Sequence, residues 1–237
     1  MINRPSFTRI VGNNAKYNEG LKVYMNSVYK YMSMALGLTG VVAYIVSNSP
    51  FLFNAIFNSP LYIVVLLAPL FFVMYFTAKI WSISPEKARN YLWIYAGLLG
   101  LSLSSIFLIY TGASIVRTFF ITSSTFGAMS LYGYTTKKDL SAMGSFMMMG
   151  LIGLIMASLV NIFIKSPGME FMISIIGVLV FTGLTAYDVQ KIKKTYDYVG
   201  VNSDMKEKVA IIGALNLYMD FINLFLFLLR FMGNRKR

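Results

Sequence analysis

The chain is 237 residues long, 57% hydrophobic and only 13% charged, with a mean hydropathy of +0.65; a soluble protein carries about 45–50% apolar and about 25% charged residues, so this much apolar surface points to a bilayer and away from a soluble catalytic domain. It contains no cysteine and no histidine, which removes disulfides, thiolate metal sites, cysteine nucleophiles and the commonest proton-transfer group. The net charge of +12 reads as basic loops retained in the cytoplasm rather than as a nucleic-acid footprint.

Residues 1–27 are polar and basic, with no apolar core of a cleavable signal peptide, and read as a cytoplasmic leader. A first span is expected near Val28–Val46, followed by a breaker-rich turn from Ser47 to Pro60. The second span covers Leu61–Ala78. Lys79–Arg89 is a charged loop in which Ser84-Pro85-Glu86-Lys87 reads as a helix start. A third span near Tyr91–Tyr110 turns at Thr111-Gly112 into a fourth, Ser114–Tyr134. Lys137-Lys138-Asp139 marks a loop before the fifth, Ala142–Ile164. Ser166-Pro167-Gly168 separates that from the sixth, Met169–Lys191. After the polar segment Lys193–Lys208, in which Asp204 and Glu207 have capping-box spacing, comes the seventh, Val209–Phe231. The expected architecture is an all-α polytopic membrane protein. A seven-helix domain spans 28–231, and a basic tail follows at 232–237.

Orientation follows from the basic residues. The leader, the second-to-third loop, the fourth-to-fifth loop and the sixth-to-seventh segment together hold 15 Lys and Arg, whereas the opposite internal loops hold only Lys165. The N-terminus is therefore expected in the cytoplasm. Seven full crossings put Arg235-Lys236-Arg237 outside; a re-entrant last helix puts them inside. Val209–Phe231 is about 34 Å long at 1.5 Å per residue, enough to cross.

Polar groups inside spans are informative because an Asp at mid-bilayer costs about 2.5–3.5 kcal/mol on insertion scales. Asp220 sits near the centre of the last span. Asn216, Asp220, Asn223, Phe227 and Arg230 are spaced 4, 3, 4 and 3, so they form one stripe, which should face protein or water. The bland alternative is that these groups only bond neighbouring helices. Asp188 closes the sixth span with Thr185 on its face, and the bland alternative there is an interfacial acid balanced by Lys191, Lys193 and Lys194. Asp188 lies about 9 Å inside Lys194 and Asp220 about 18 Å inside Lys208, so depth alone does not bring them into contact. If they meet, two carboxylates in a low-dielectric site cannot both ionise at their ordinary pKa, and near neutrality the pair holds one proton. In the fourth span, Arg117 reads as snorkelling to the outer end. Its many Ser and Thr residues read as close packing or, more sharply, as a polar path.

Thr185-Ala186-Tyr187-Asp188-Val189-Gln190-Lys191-Ile192-Lys193 and Leu217-Tyr218-Met219-Asp220-Phe221-Ile222-Asn223-Leu224-Phe225 resemble the signature segments of the Bax inhibitor-1 family. Ser130-Leu131-Tyr132-Gly133-Tyr134-Thr135-Thr136-Lys137-Lys138-Asp139-Leu140-Ser141 is similar to the loop after the fourth span in its bacterial members. The resemblance implies six helices around a central seventh and residence in the bacterial cytoplasmic membrane. It also implies a Ca²⁺ leak controlled by pH through an Asp pair matching Asp188 and Asp220. Lys79 stands where relatives carry a basic latch for the first Asp, but Lys is the weaker bidentate partner. The acid that some relatives hold in the second helix is missing from Pro60–Ala78.

Three functions follow. In the first, a pH-gated cation leak, Asp188, Asp220, Asn216 and Asn223 offer oxygen to Ca²⁺ as permeant or bound ion, with no other cofactor. The second is a non-transporting regulator that binds a membrane-anchored AAA protease, a partner the family resemblance suggests. The third is an intramembrane aspartyl protease, disfavoured because Leu217-Tyr218-Met219 lacks the glycines of that motif. A retinal-type receptor is disfavoured too, since Val209–Leu229 has no Lys for a Schiff base.

Overall fold

The computed structural model describes residues 7–199 and 203–236, with side chains from Tyr17 onward. Arg4 of the leader, Arg237 of the tail and residues 200–202 lie outside the described residues, as do the side chains of Arg9 and Lys16. Among the described residues nine α-helices follow in order: α1 Phe7–Asn48, α2 Pro50–Phe57, α3 Leu61–Lys79, α4 Pro85–Leu103, α5 Ile106–Ile109, α6 Gly112–Thr135, α7 Ser141–Ile164, α8 Pro167–Thr195 and α9 Ser203–Met232. Among the described residues there is no strand, only a single bridge between Tyr110 and Arg235.

Among the described residues six helical segments are long and apolar enough to cross a membrane: Tyr17–Asn48, Leu61–Ser82, Pro85–Ile109, Ser141–Ile164, Pro167–Thr195 and Ser203–Met232. The fourth expected span, α6, matches α7 in length at 24 residues but not in apolarity. Arg117 and its run of Ser and Thr account for the difference.

Local chemistry sets the helix ends. Ser84 caps α4 by accepting from the Lys87 amide, with Pro85 at the first helical position. Thr111 caps α6 through the Ser114 amide, and Ser166 caps α8 through the Met169 amide. The breaker-rich stretch expected as a turn instead holds α2. Ser49 accepts from the Leu52 amide and Pro50 starts the helix, so these two breakers act as a start signal. α1 passes without a break through the boundary expected at residue 28. Leu21, Tyr24, Met25 and Val28 are spaced 3, 1 and 3 and are all buried, so the apolar stripe extends into the leader.

α9 is the inner helix: 67% of its most apolar window is buried, against 6% for α7. It packs on α8, α1, α6 and α4, while α3 packs chiefly on α4 and α7 chiefly on α8. The ring expected around the last helix is thus four helices in direct contact with two further out. A buried polar tie fixes α1, α4 and α9 together: the Thr39 hydroxyl lies 2.6 Å from the Tyr218 hydroxyl and 2.9 Å from the Ala96 carbonyl. α6 and α8 approach so closely at Gly133 that a Cβ there would lie 2.2 Å from the Ala186 carbonyl oxygen.

Polar contacts sort to the two ends of the bundle. At one end Arg89 pairs with Glu207 at 3.2 Å, Tyr31 donates to Glu207, and Lys194 pairs with Asp139 at 2.7 Å. Glu207 therefore ties α9 to α4 and α1 and does not complete the capping box expected with Asp204. At the other end the tail is fastened. Arg235 pairs with Glu170 at 2.7 Å, the Thr111 amide donates to the Asn234 carbonyl, and the Lys236 amide donates to the Ile109 carbonyl. α9 thus runs the full length of the bundle, and its tail lies opposite the Lys79–Arg89 and Lys137–Asp139 loops.

Candidate functional site: a carboxyl pair between α8 and α9

α8 and α9 run antiparallel, with Ile192 packed on Gly213 and Gly177 on Phe227. From the Ile192–Gly213 level, Asp188 lies four residues deeper along α8 and Asp220 seven deeper along α9. That is about 6 Å and about 10 Å at 1.5 Å per residue. Side chains lean toward the N-terminus of their own helix. In antiparallel neighbours the Asp188 carboxyl therefore leans inward and the Asp220 carboxyl leans back toward it. The offset that depth counting leaves open is closed in this way, and the two carboxyls are hydrogen-bond neighbours.

Asp220 is buried and Asp188 half-buried. No described group donates to one Asp220 carboxyl oxygen. A buried, unpaired acceptor is costly. The cation whose charge acts on Asp188 is Lys191, one turn along α8.

A cavity of about 530 Å³ between α7, α8 and α9 is lined by Asp188, Asp220, Asn216, Asn223 and Phe227. Four residues of the stripe legible on the last helix, Asn216, Asp220, Asn223 and Phe227, thus converge on one space, joined there by Asp188, while Arg230 lines a neighbouring cavity. The Asn223 amide group donates to the Met219 carbonyl at 2.9 Å, which leaves its own oxygen free to face the cavity. Thr185 is not part of this lining: it is fully buried, and its hydroxyl donates to the Phe181 carbonyl at 2.7 Å. Lys79 is not brought to the pair either. It is exposed at the end of α3, which packs on α4, and it forms no ion pair among the described residues.

Sequence reasoning missed Ser158 and Asn161 on α7. Ser158 lines both the carboxyl cavity and a second one of about 560 Å³, whose walls include Asn161, Glu170, Arg230 and Arg235. The signal was two small polar residues three apart in an apolar span, which place themselves on one helix face.

The family model described as "Inhibitor of apoptosis-promoting Bax1" matches residues 21–237. The chain belongs to the Bax inhibitor-1 family. It is 49% identical to an uncharacterised protein of Rickettsia prowazekii over the whole length of both chains. It is 45% identical to the inner membrane protein YbhL of Escherichia coli K12, over 92% of this chain and 94% of that one. A Borreliella burgdorferi protein is 46% identical over 90% of this chain and 92% of its own. This Bax inhibitor-1 family member is accordingly a multi-pass helical membrane protein, and its carboxyl pair lies on two of the three segments that carried the resemblance, Thr185–Lys193 and Leu217–Phe225.

Proposed function

We propose that this Bax inhibitor-1 family protein is a pH-sensitive cation leak pathway for Ca²⁺, gated by Asp188 and Asp220. The observation that carries the reading is the convergence of both carboxyls with Asn216 and Asn223 on one cavity between α7, α8 and α9. With one proton shared, a charge-assisted hydrogen bond holds α8 to α9. When the proton leaves, two like charges face each other at low dielectric. The helices then separate or a cation enters, so flux rises with pH. Ca²⁺ takes 6–8 oxygen ligands. Two carboxylates and two carboxamides supply part of that set and water the rest, which suits passage better than tight retention. The second cavity, past Ser158 toward Glu170 and Arg235, supplies the outward continuation.

In this reading α6 crosses as the seventh span, since 24 residues reach about 36 Å. Its flanks match those of its neighbours, with Thr111 at the tail end and Asp139 at the other. The basic end faces the cytoplasm of a bacterial inner membrane, as the positive-inside bias requires, and Lys79 latches Asp188 only in another conformation.

The test is Ca²⁺ entry into liposomes holding the purified protein, across a pH series. The expected result is flux that climbs with pH in the wild type and is flat in Asp220→Asn. Absence of flux at every pH would refute the leak reading and leave a regulator that binds a membrane-anchored AAA protease.

A further inference from the structure

α1 and α6 both lie on α9 but diverge from each other. Between them runs a cleft of about 1090 Å³, floored by Phe221 of α9. α1 is long and apolar enough to cross a membrane, and with α6 crossing beside it, as in the reading above, this cleft opens sideways into lipid. Its lining is graded. One end carries Asn18, Lys22 and Asn26 of α1 with Tyr134 of α6. Lys193 stands beside Tyr134, donating to its carbonyl at 2.8 Å, with the ammonium 4.9 Å from the ring centre. The other end carries Leu36, Gly37, Gly40, Val41 and Phe119, and Gly40 also borders an apolar pocket that runs on to Phe107 and Val116.

Glycine in a membrane helix normally marks close helix packing. Gly37, Gly40 and Gly127 line this cleft, and a Cβ built on any of them meets nothing within 4 Å. Contrast Gly133, also on α6, where a Cβ would strike Ala186. The three open glycines widen a space and do not seat a neighbouring helix. From Lys22 to Gly37 is about 22 Å along α1, close to half of the roughly 40–45 Å total thickness of a bilayer. The graded lining therefore fits one leaflet, with the headgroup level at Lys22.

We propose that this cleft seats one anionic glycerophospholipid. The phosphate and headgroup lie at Lys22, Asn18 and Asn26, and an acyl chain runs over Gly37, Gly40 and Gly127. Charge favours an anion there. Lys22 is exposed and forms no ion pair among the described residues, and Lys193 adds a second positive charge nearby. The nearest acids face elsewhere: Glu19 lines a cavity on another side of α1, and Asp197 accepts from Tyr17.

The proposal is independent of ion conduction and is tested without it. The full-length protein is placed in nanodiscs of equal phosphatidylglycerol and phosphatidylcholine, released by mild detergent, and weighed by native mass spectrometry. One phosphatidylglycerol per chain is expected to stay bound. Gly40→Leu and Gly127→Leu place their Cβ atoms in open space, extend into the cleft and improve helix propensity, so retention should fall at least fivefold while the protein stays folded. Lys22→Gln should erase the preference for phosphatidylglycerol but keep a lipid in place. Gly153→Leu on α7 is the control: its Cβ also meets nothing within 4 Å, but it does not line the cleft. Equal retention by the cleft-filling variants and the wild type, or an equal loss in Gly153→Leu, would overturn the site. Equal retention of the two lipids by the wild type would overturn the anionic headgroup.

Discussion

Tyr218 on α9 and Thr39 on α1 bring their hydroxyl oxygens to 2.6 Å, with both side chains buried. Thr39 has one proton and two carbonyls within 2.9 Å, those of Ala35 and Ala96. Its proton goes to a carbonyl, so Tyr218 is the donor to Thr39. Tyr218→Phe keeps the ring against Tyr95, whose centre is 5.7 Å away, and removes only this bond. A loss of about 0.5–1.5 kcal/mol is expected, read as a lower thermal midpoint in detergent with unchanged helix content.

Gly133 and Gly127 lie six residues apart on α6, on different faces of the helix, and should respond oppositely. Gly133→Ala drives a methyl into the Ala186 carbonyl and should destabilise by about 1–3 kcal/mol, as overpacking does. Gly127→Ala meets open space and should be neutral or slightly stabilising. Thermal unfolding of the two variants side by side checks this.

Topology is open to a clean chemical test because the chain has no cysteine, so each introduced thiol is the sole reactive one. Cysteines at Lys87 and Lys138 should be labelled by a membrane-impermeant maleimide only from the cytoplasmic side. A cysteine at Lys236, which lies at the opposite end with Phe107 and Ile109, should be labelled only from outside. Labelling of Lys87 and Lys236 positions from the same side would contradict a crossing α9.

The stripe on the last helix was legible because a polar residue at a 3–4 spacing in an apolar span has few explanations. Its partner was half legible: Asp188 stood out, but its depth differed from that of Asp220. Only the opposite lean of side chains on antiparallel helices closes the gap, and sequence counting does not carry that geometry. Ser158 and Asn161 were passed over because Ser and Asn in a span usually serve packing. Helix α2 was hidden because Ser-Pro signals a loop or a helix start equally well. The α1–α6 cleft was invisible because a glycine that packs and a glycine that leaves space read the same.

Asp139, in the loop between α6 and α7, is held down to about 2, first by the hydrogen bond from Lys194 and then by those from the Ser141 hydroxyl and amide. A depressed carboxyl stabilises the fold above its ordinary pKa, near 4, and stops doing so as pH falls toward 2. The tie between this loop and the end of α8 should therefore hold at neutral pH and loosen between about pH 4 and pH 2. Asp139→Asn should abolish that acid-dependent step, read as protease cleavage of the Thr136–Leu140 loop across the range. The group is exposed, so global stability should hardly change.

The central claim, that Asp188 and Asp220 are one titrating gate, is tested most directly by pH–flux curves of Asp188→Asn, Asp220→Asn and the double variant in Ca²⁺-loaded liposomes. Residues that act as one element give non-additive effects. Each single variant should remove the rise of flux with pH, and the double variant should add little to either. Two independent effects that sum in the double variant would contradict the account.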